Sequence, residues 1–302
     1  MLNLPLQPWH DALGAAMGWR WTHPPGRPGL RVEHLRAPAP WGLFLGGRLR
    51  SPAGVHAWYV INDWWDHVEL LQGPAPLGIL PPITAREAEA RAPDAWLRPL
   101  LAALAASPAS PLHGGVWWAG PASLWPFTRL RVDVAEAAAR PPCAHLADHQ
   151  GRLLPLRPLS DGRRVGFWRK HARAGTLPPP LLLALSHLEL YAILDGHDRL
   201  LAAHLEGTPT DPVVIAPLVA QRWEASAHHD QRAALAATVD RLGPDVPAGL
   251  NRAVIRAWAD PRHDLPRTRA WLYPGGLDAW QADVRLATRH LDRSALTLVD
   301  PA

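Results

Sequence analysis

The segment YAILDGHDRLLAA, at 191–203, contains the residue types in this chain that are best suited to bind phosphate. Its apolar first half predicts a strand that ends at Asp195 and Gly196, and a helix is expected to begin at once with His197. The first backbone N–H groups of a helix have no intrahelical partner, and the helix dipole favours an anion beside them. Arg199 can add a bidentate guanidinium and His197 a further donor, so the segment predicts a phosphate site.

The carboxylates of this segment suggest a second kind of chemistry. Asp195 ends the predicted strand, where a carboxylate can bind Mg²⁺ or accept a proton from a substrate hydroxyl. Ordinary local structure explains the same residues: Asp-Gly is common in turns, Asp198 complements a helix dipole, and Arg199 can lie on the surface. The segment by itself therefore leaves a phosphate site and a plain turn before a helix both open.

The segment lies among other elements whose order is informative. Strand and helix patterns alternate around it, in LLPLRPL (153–159, strand), RVGFWRKHARAG (164–175, helix), LLLALSHLELYAIL (181–194, an apolar run bent near Ser186 and His187), DGHDRLLAAHLEG (195–207, helix) and PVVIAPL (212–218, strand). Prolines and glycines separate these elements, as expected for short elements with tight connections.

In this order of elements the chain resembles the ParB/sulfiredoxin superfamily over about residues 153–218. The family segment that corresponds to DGHDRLLAA reads GERRxxAA in ParB partition proteins, GCHR in sulfiredoxins and DGHHR in free-serine kinases, where it binds nucleotide phosphates. The form in this chain is most similar to that of the kinase-like branch. The resemblance implies a ParB/sulfiredoxin-like domain in which four residues bind the phosphates of ATP or another nucleoside triphosphate: Gly196, His197, Asp198 and Arg199.

The resemblance also implies catalytic roles. Asp195 would bind Mg²⁺ or act on the acceptor, and Asp195 and His197 would be the catalytic residues. Two departures from the family limit this expectation. Asp198 stands where the kinases have a second histidine, and the one cysteine, Cys143, lies outside the segment, so sulfinic-acid reductase chemistry is not expected.

Two functions of different classes follow from the resemblance. The first is a nucleotide-binding enzyme, a Mg²⁺-dependent phosphotransferase or nucleotide hydrolase that acts on a small hydroxyl acceptor. The alternative is a nucleotide-responsive or DNA-responsive binding protein without activity. The basic and aromatic run at 163–173 could contact DNA phosphates, or it could bury Phe167 and expose its cations. The net charge of +4 fits an anionic partner, but the cations are arginines with the single exception of Lys170, which is also typical of a GC-rich genome.

The whole chain is expected to be an α+β protein in three parts. Residues 1–150 form an α+β domain of unknown role, residues 151–218 the ParB/sulfiredoxin-like domain, and residues 219–302 a mainly helical region, with PPCAHLADHQGR at 141–152 as a linker. Strands are expected in the first part at 41–47, 56–63, 114–120 and 128–134. A helix is expected within 86–107, and it either begins near Pro99, which a first turn tolerates, or is kinked there.

Composition also indicates the cellular compartment of the protein. A single cysteine allows no internal disulfide, and no apolar run reaches the ~18 to 20 residues that span a bilayer. The first residues lack the basic and apolar regions of a signal peptide. The sequence therefore predicts a cytoplasmic protein with no membrane contact.

Overall fold

A computed structural model describes most of the chain, namely residues 5–10, 15–39, 42–62, 67–76, 78–127, 130–140, 143–147, 149–222, 229–243, 247, 250 and 262–289. The strands are Gln7–His10 (β1), Ala16–His23 (β2), Arg31–Ala39 (β3), Gly42–Ser51 (β4), Gly54–Asn62 (β5), His67–Gln72 (β6), Gly115–Pro121 (β7), Cys143–Ala147 (β8), Leu153–Pro155 (β9), Leu181–Leu185 (β10), Leu190–Asp195 (β11), Val213–Arg222 (β12), Arg262–Pro266 (β13) and Ala270–Leu272 (β14). The α-helices are Ala85–Glu89 (α1), Leu97–Ala106 (α2), Val134–Ala139 (α3), Arg163–Arg173 (α4), His197–Leu205 (α5), His229–Leu242 (α6) and Gly276–Thr288 (α7).

The strands form two sheets, and mixed α and β structure agrees with the predicted α+β class. The larger sheet has the order β1-β2-β7-β12-β10-β11-β9, and β13 pairs with the far end of β12. The smaller sheet has the order β14-β3-β4-β5-β6-β8. The larger sheet thus joins strands from both sides of residue 150, since β1, β2 and β7 precede that position and β9 to β13 follow it.

The hairpin of β10 and β11 is buried on both faces. Leu181, Leu183 and Leu185 belong to the core between the sheets, whereas Leu182 and Ala184 belong to the core beneath the helices. Alternate residues of a strand point to opposite faces, so a strand that is covered on both sides needs an uninterrupted apolar sequence. This accounts for the run at 181–194, which the structure divides into two strands around Ser186 and His187, where the sequence predicted a bend.

Helices α4 and α5 cover the outer face of this hairpin. Val165 and Trp168 of α4 and Leu200 of α5 are buried together with Tyr191 and Ile193 of β11. The two helices lie against each other as well as against the sheet. The packing holds the first turns of both helices near the end of β11.

Several sequence predictions in the first 150 residues are confirmed. Strands β4, β5 and β7 lie at the segments expected near 41–47, 56–63 and 114–120, and α2 begins at Leu97 with Pro99 in its first turn. A short 3-10 helix at Pro93–Trp96 separates α2 from α1.

Two other predictions are wrong. The described residues of the run at 128–134 form no strand, because Asp133 accepts a hydrogen bond from the Glu136 N–H and caps α3. The expected linker at 141–152 contains β8, which pairs with β6 at the edge of the smaller sheet. A polar, proline-led sequence is compatible with an edge strand as well as with a linker.

The described residues after 218 contain the helices α6 and α7, and also two strands that the sequence did not predict. These strands, β13 and β14, add one strand to each sheet. None of the helices in the described ranges combines the length and the hydropathy that crossing a bilayer requires.

Candidate functional site

The predicted strand-to-helix turn is present at the end of β11. Gly196 adopts a left-handed conformation with φ of 91° and lies directly before α5. A Cβ atom at this position would lie 2.8 Å from Pro180 Cα and 2.9 Å from Arg199 Nη2. Both the backbone angle and the close approach therefore require glycine here.

The first turn of α5 contains backbone N–H groups that precede its hydrogen-bonded ladder. No side chain caps the helix, and Gly196, the residue before it, has none to offer. The first intrahelical bond runs from the Leu200 N–H to the Gly196 carbonyl, so the N–H groups of His197, Asp198 and Arg199 precede the helical ladder. The positive end of the helix dipole lies at the same place.

Arg199 is buried, contrary to the alternative of a surface position. Only 2% of it is exposed, and its Nη2 donates to Asp195 Oδ2 at 2.8 Å and, more weakly, to the Pro179 carbonyl at 3.4 Å. The guanidinium lies over the ring of Trp168 at 5.6 Å. Its Nε atom is buried without a hydrogen-bond partner in the described structure. A buried cationic donor without a partner is costly unless a ligand or water satisfies it.

His197 lines the cleft, but its side chain is buried and one ring nitrogen is already hydrogen-bonded within the protein. The residue is 2% exposed, and its Nε2 accepts a hydrogen bond from the Leu156 N–H at 3.2 Å. Burial, followed by the nearby Arg157 and Arg199, holds the pKa of His197 well below its usual value. The ring is therefore neutral, and it anchors the chain after β9 to the first turn of α5.

Asp198 links α5 to two arginines of the neighbouring segment. Its Oδ2 lies 2.8 Å from Arg157 Nη2 and 3.3 Å from Arg164 Nε. Arg157 follows β9, and Arg164 lies in the first turn of α4. The Asp198 carboxyl group thus holds guanidinium groups from two elements beside the start of α5.

The start of α4 faces the same space. Its first turn follows Gly162 and has no side-chain cap. Asp161 instead accepts a hydrogen bond from the Gly162 N–H at 2.8 Å through its Oδ1. Two helices therefore begin beside each other, and each offers uncapped N–H groups.

These elements enclose a cleft of about 660 Å³. This volume lies within the range of about 300–1,000 Å³ that is typical of small-molecule sites. All five residues predicted from the sequence, at 195–199, line it. The other charged residues of its wall are Arg157, Asp161, Arg163 and Arg164. The four arginines and three aspartates of the lining leave it with a small excess of positive charge.

Part of the cleft wall comes from the first part of the chain. Gly78, Ile79, Leu80 and Pro82, in the connection between β6 and α1, line it. These residues and Arg157 were not predicted from the sequence as part of the site. No local motif marks them, because they reach the cleft only through the packing of the two sheets against a common core.

Asp195, the metal ligand predicted from the sequence, lines the cleft. Its side chain is 26% exposed, and one carboxyl oxygen is held by Arg199. The described residues contain no group of three or more histidine, cysteine or acidic side chains that could enclose a metal. Mg²⁺ does not need such a cage, since it commonly takes one or two carboxylates together with substrate phosphates and water.

The basic run of α4 is only partly available to a partner. Trp168 is buried and Phe167 half-buried, while Arg169 and Arg173 lie 2.5 Å and 3.0 Å from the carboxylate of Glu206, the residue that follows α5. The helix therefore buries its aromatic side and uses several of its cations to bind α5.

Comparison of the chain with protein-family models, with curated proteins and with solved structures gave no match.

Proposed function

We propose that this chain is a nucleotide-binding protein with a ParB/sulfiredoxin-like scaffold, and that its cleft binds the phosphates of ATP or another nucleoside triphosphate together with Mg²⁺. The observation that supports this most strongly is Arg199, which is almost fully buried at an uncapped helix start and has an unpartnered Nε. Backbone N–H groups and a guanidinium that converge on one cleft are the usual recognition elements for phosphate.

The proposed activity is phosphoryl transfer to a small hydroxyl acceptor, or to water. Arg199 and the N–H groups of the α5 start stabilise the charge on the phosphate oxygens. Mg²⁺, when bound, would neutralise phosphate charge and orient the leaving group. Asp195 serves as its carboxylate ligand, or accepts the proton of the hydroxyl as that oxygen attacks phosphorus and the bond to the leaving phosphate breaks.

His197 acts as a positioning residue in this proposal. A neutral ring whose Nε2 already accepts from the Leu156 N–H cannot neutralise phosphate charge. It fixes the β9 end against the first turn of α5, and so sets the distance between Arg157 and that turn.

The proposal is tested by calorimetric titration of the purified chain with ATP, CTP and GTP, each with Mg²⁺. We expect at least one nucleotide to bind, and we expect Arg199→Gln to weaken that binding by at least tenfold. Because Arg199 is buried, its variant is compared with Arg163→Gln, which changes an exposed arginine of the cleft wall and leaves the core intact.

Unfolding curves of both variants separate loss of binding from loss of structure. A folded wild-type chain that binds none of the three nucleotides would overturn the proposal. Binding of duplex DNA with a steep dependence on salt, in place of nucleotide binding, would favour the DNA-responsive alternative, since such binding releases counterions.

A further inference from the structure

A carboxylate of the protein already occupies part of the proposed phosphate site. Asp198 lines the cleft and contacts both Arg157 and Arg164. Its side chain is 14% exposed, whereas those of the two arginines are 36% and 54% exposed. The arginines can therefore move toward a ligand more easily than the aspartate, which α5 holds in place.

The position of Asp198 is one that an external anion would also prefer. It lies in the first turn of α5, and its carboxylate contacts guanidinium groups from two different elements. A phosphate group that approaches these arginines meets a negative charge at short range, and like charges at such distances repel strongly where water is partly excluded. Ligand phosphate and the Asp198 carboxylate thus compete for the same two cations.

Resting on the proposed function, we propose that Asp198 is an internal competitor that a ligand phosphate displaces from Arg157 and Arg164. The residue determines which anions bind. A phosphate carries more negative charge than the Asp198 carboxylate, so its exchange for that carboxylate at the two arginines is favourable. A ligand with a single carboxylate brings no more charge than Asp198 and loses its freedom of motion on binding, so it does not displace the aspartate. Asp198 consequently keeps the arginines paired in the free protein and reserves them for phosphate.

The test measures the affinity of the full chain for inorganic pyrophosphate and for ATP with Mg²⁺. Asp198→Asn removes the competing charge and keeps the size of the side chain, and we expect it to tighten binding about three- to tenfold. Asp94→Asn is the matched control, because it changes the net charge equally at an exposed position outside the cleft. We expect its affinities to equal those of the wild type.

A double-mutant comparison shows whether Asp198 weakens ligand binding by competing for the arginines. If Asp198 competes for the arginines, the gain from Asp198→Asn becomes smaller in an Arg164→Gln background, because one of the contested cations is gone. Equal gains in both backgrounds would mean that Asp198 acts only by its charge at a distance, and would overturn the exchange. Asp198→Ser repeats the measurement if the asparagine variant is unstable, since serine is also accepted near a helix start.

The outcomes separate this inference from the proposed function. If the wild type binds and Asp198→Asn binds equally or more weakly, the competition is refuted and the nucleotide site stands. If neither the wild type nor the folded variants bind pyrophosphate or ATP, the nucleotide site itself is refuted, and the inference falls with it.

Discussion

Replacement of Gly196 by alanine tests whether the turn before α5 is built as the structure indicates. An L-residue in the left-handed region costs about 1–2 kcal/mol, and overpacking costs about 1–3 kcal/mol more. Both costs apply at Gly196, where the new Cβ would meet Pro180 and Arg199 within 3 Å. We therefore expect Gly196→Ala to lower the free energy of unfolding by about 2–5 kcal/mol.

A second glycine provides the matched control for this substitution. Gly207, after α5, also has a positive φ of 62°, but a Cβ there would have no neighbour within 4 Å. Gly207→Ala should have only the backbone cost, so the free energies of unfolding of the two variants should differ by about 1–3 kcal/mol. This difference is measured by urea unfolding, with tryptophan fluorescence as the signal. We expect only Gly196→Ala to weaken nucleotide binding, because only its Cβ would push against the Arg199 guanidinium. Equal stability and equal binding in the two variants would refute the assigned geometry of the turn.

Further predictions concern the stability of the protein when a buried charge or hydrogen bond loses its partner and when the pH is lowered. Glu33 is 3% exposed and lies 2.6 Å from Arg48 Nε, so Arg48→Met leaves it as an unpaired buried carboxylate. We expect the free energy of unfolding, measured in urea, to fall by about 3–5 kcal/mol. A variant that also replaces Glu33 by leucine should recover most of this loss. Burial lowers the pKa of His187 to about 3, so below pH 6.5 the unfolded chain binds a proton that the folded chain does not. The free energy of unfolding should fall by up to about 1.4 kcal/mol per pH unit below pH 6.5 for this residue, and a series of unfolding curves from pH 7 to pH 5 that stayed flat would contradict it. His197→Phe leaves the buried Leu156 N–H without its acceptor, for an expected loss of about 1–3 kcal/mol by the same measurement at pH 7.

Local sequence patterns were sufficient to predict the secondary-structure elements on both sides of the turn at 195–196. The bend near Ser186, the strand that ends at Asp195 and the helix that follows Gly196 all depend on short-range features, namely apolar runs, a turn glycine and a helix start. The structure brings the five predicted residues at 195–199 into one cleft for the same reason.

The remaining features depend on contacts that are distant in sequence. Strand β8 lies in a proline-led segment that is typical of a linker, and it becomes a strand only because β6 presents a free edge. The loop at 78–82 reaches the cleft from the first part of the chain. The burial of Arg199 depends on Trp168 and Pro179, which no pattern around Arg199 specifies. Composition and periodicity describe neighbours along the chain, so they do not report such contacts.

The most direct test of the proposed nucleotide site is a crystal structure of the chain grown with Mg²⁺ and a non-hydrolysable ATP analogue. We expect phosphate oxygens within about 3 Å of the backbone N–H groups at the start of α5 and of the Arg199 guanidinium. We also expect Mg²⁺ beside Asp195. A nucleotide bound elsewhere, or a cleft without nucleotide at saturating concentration, would contradict the proposal.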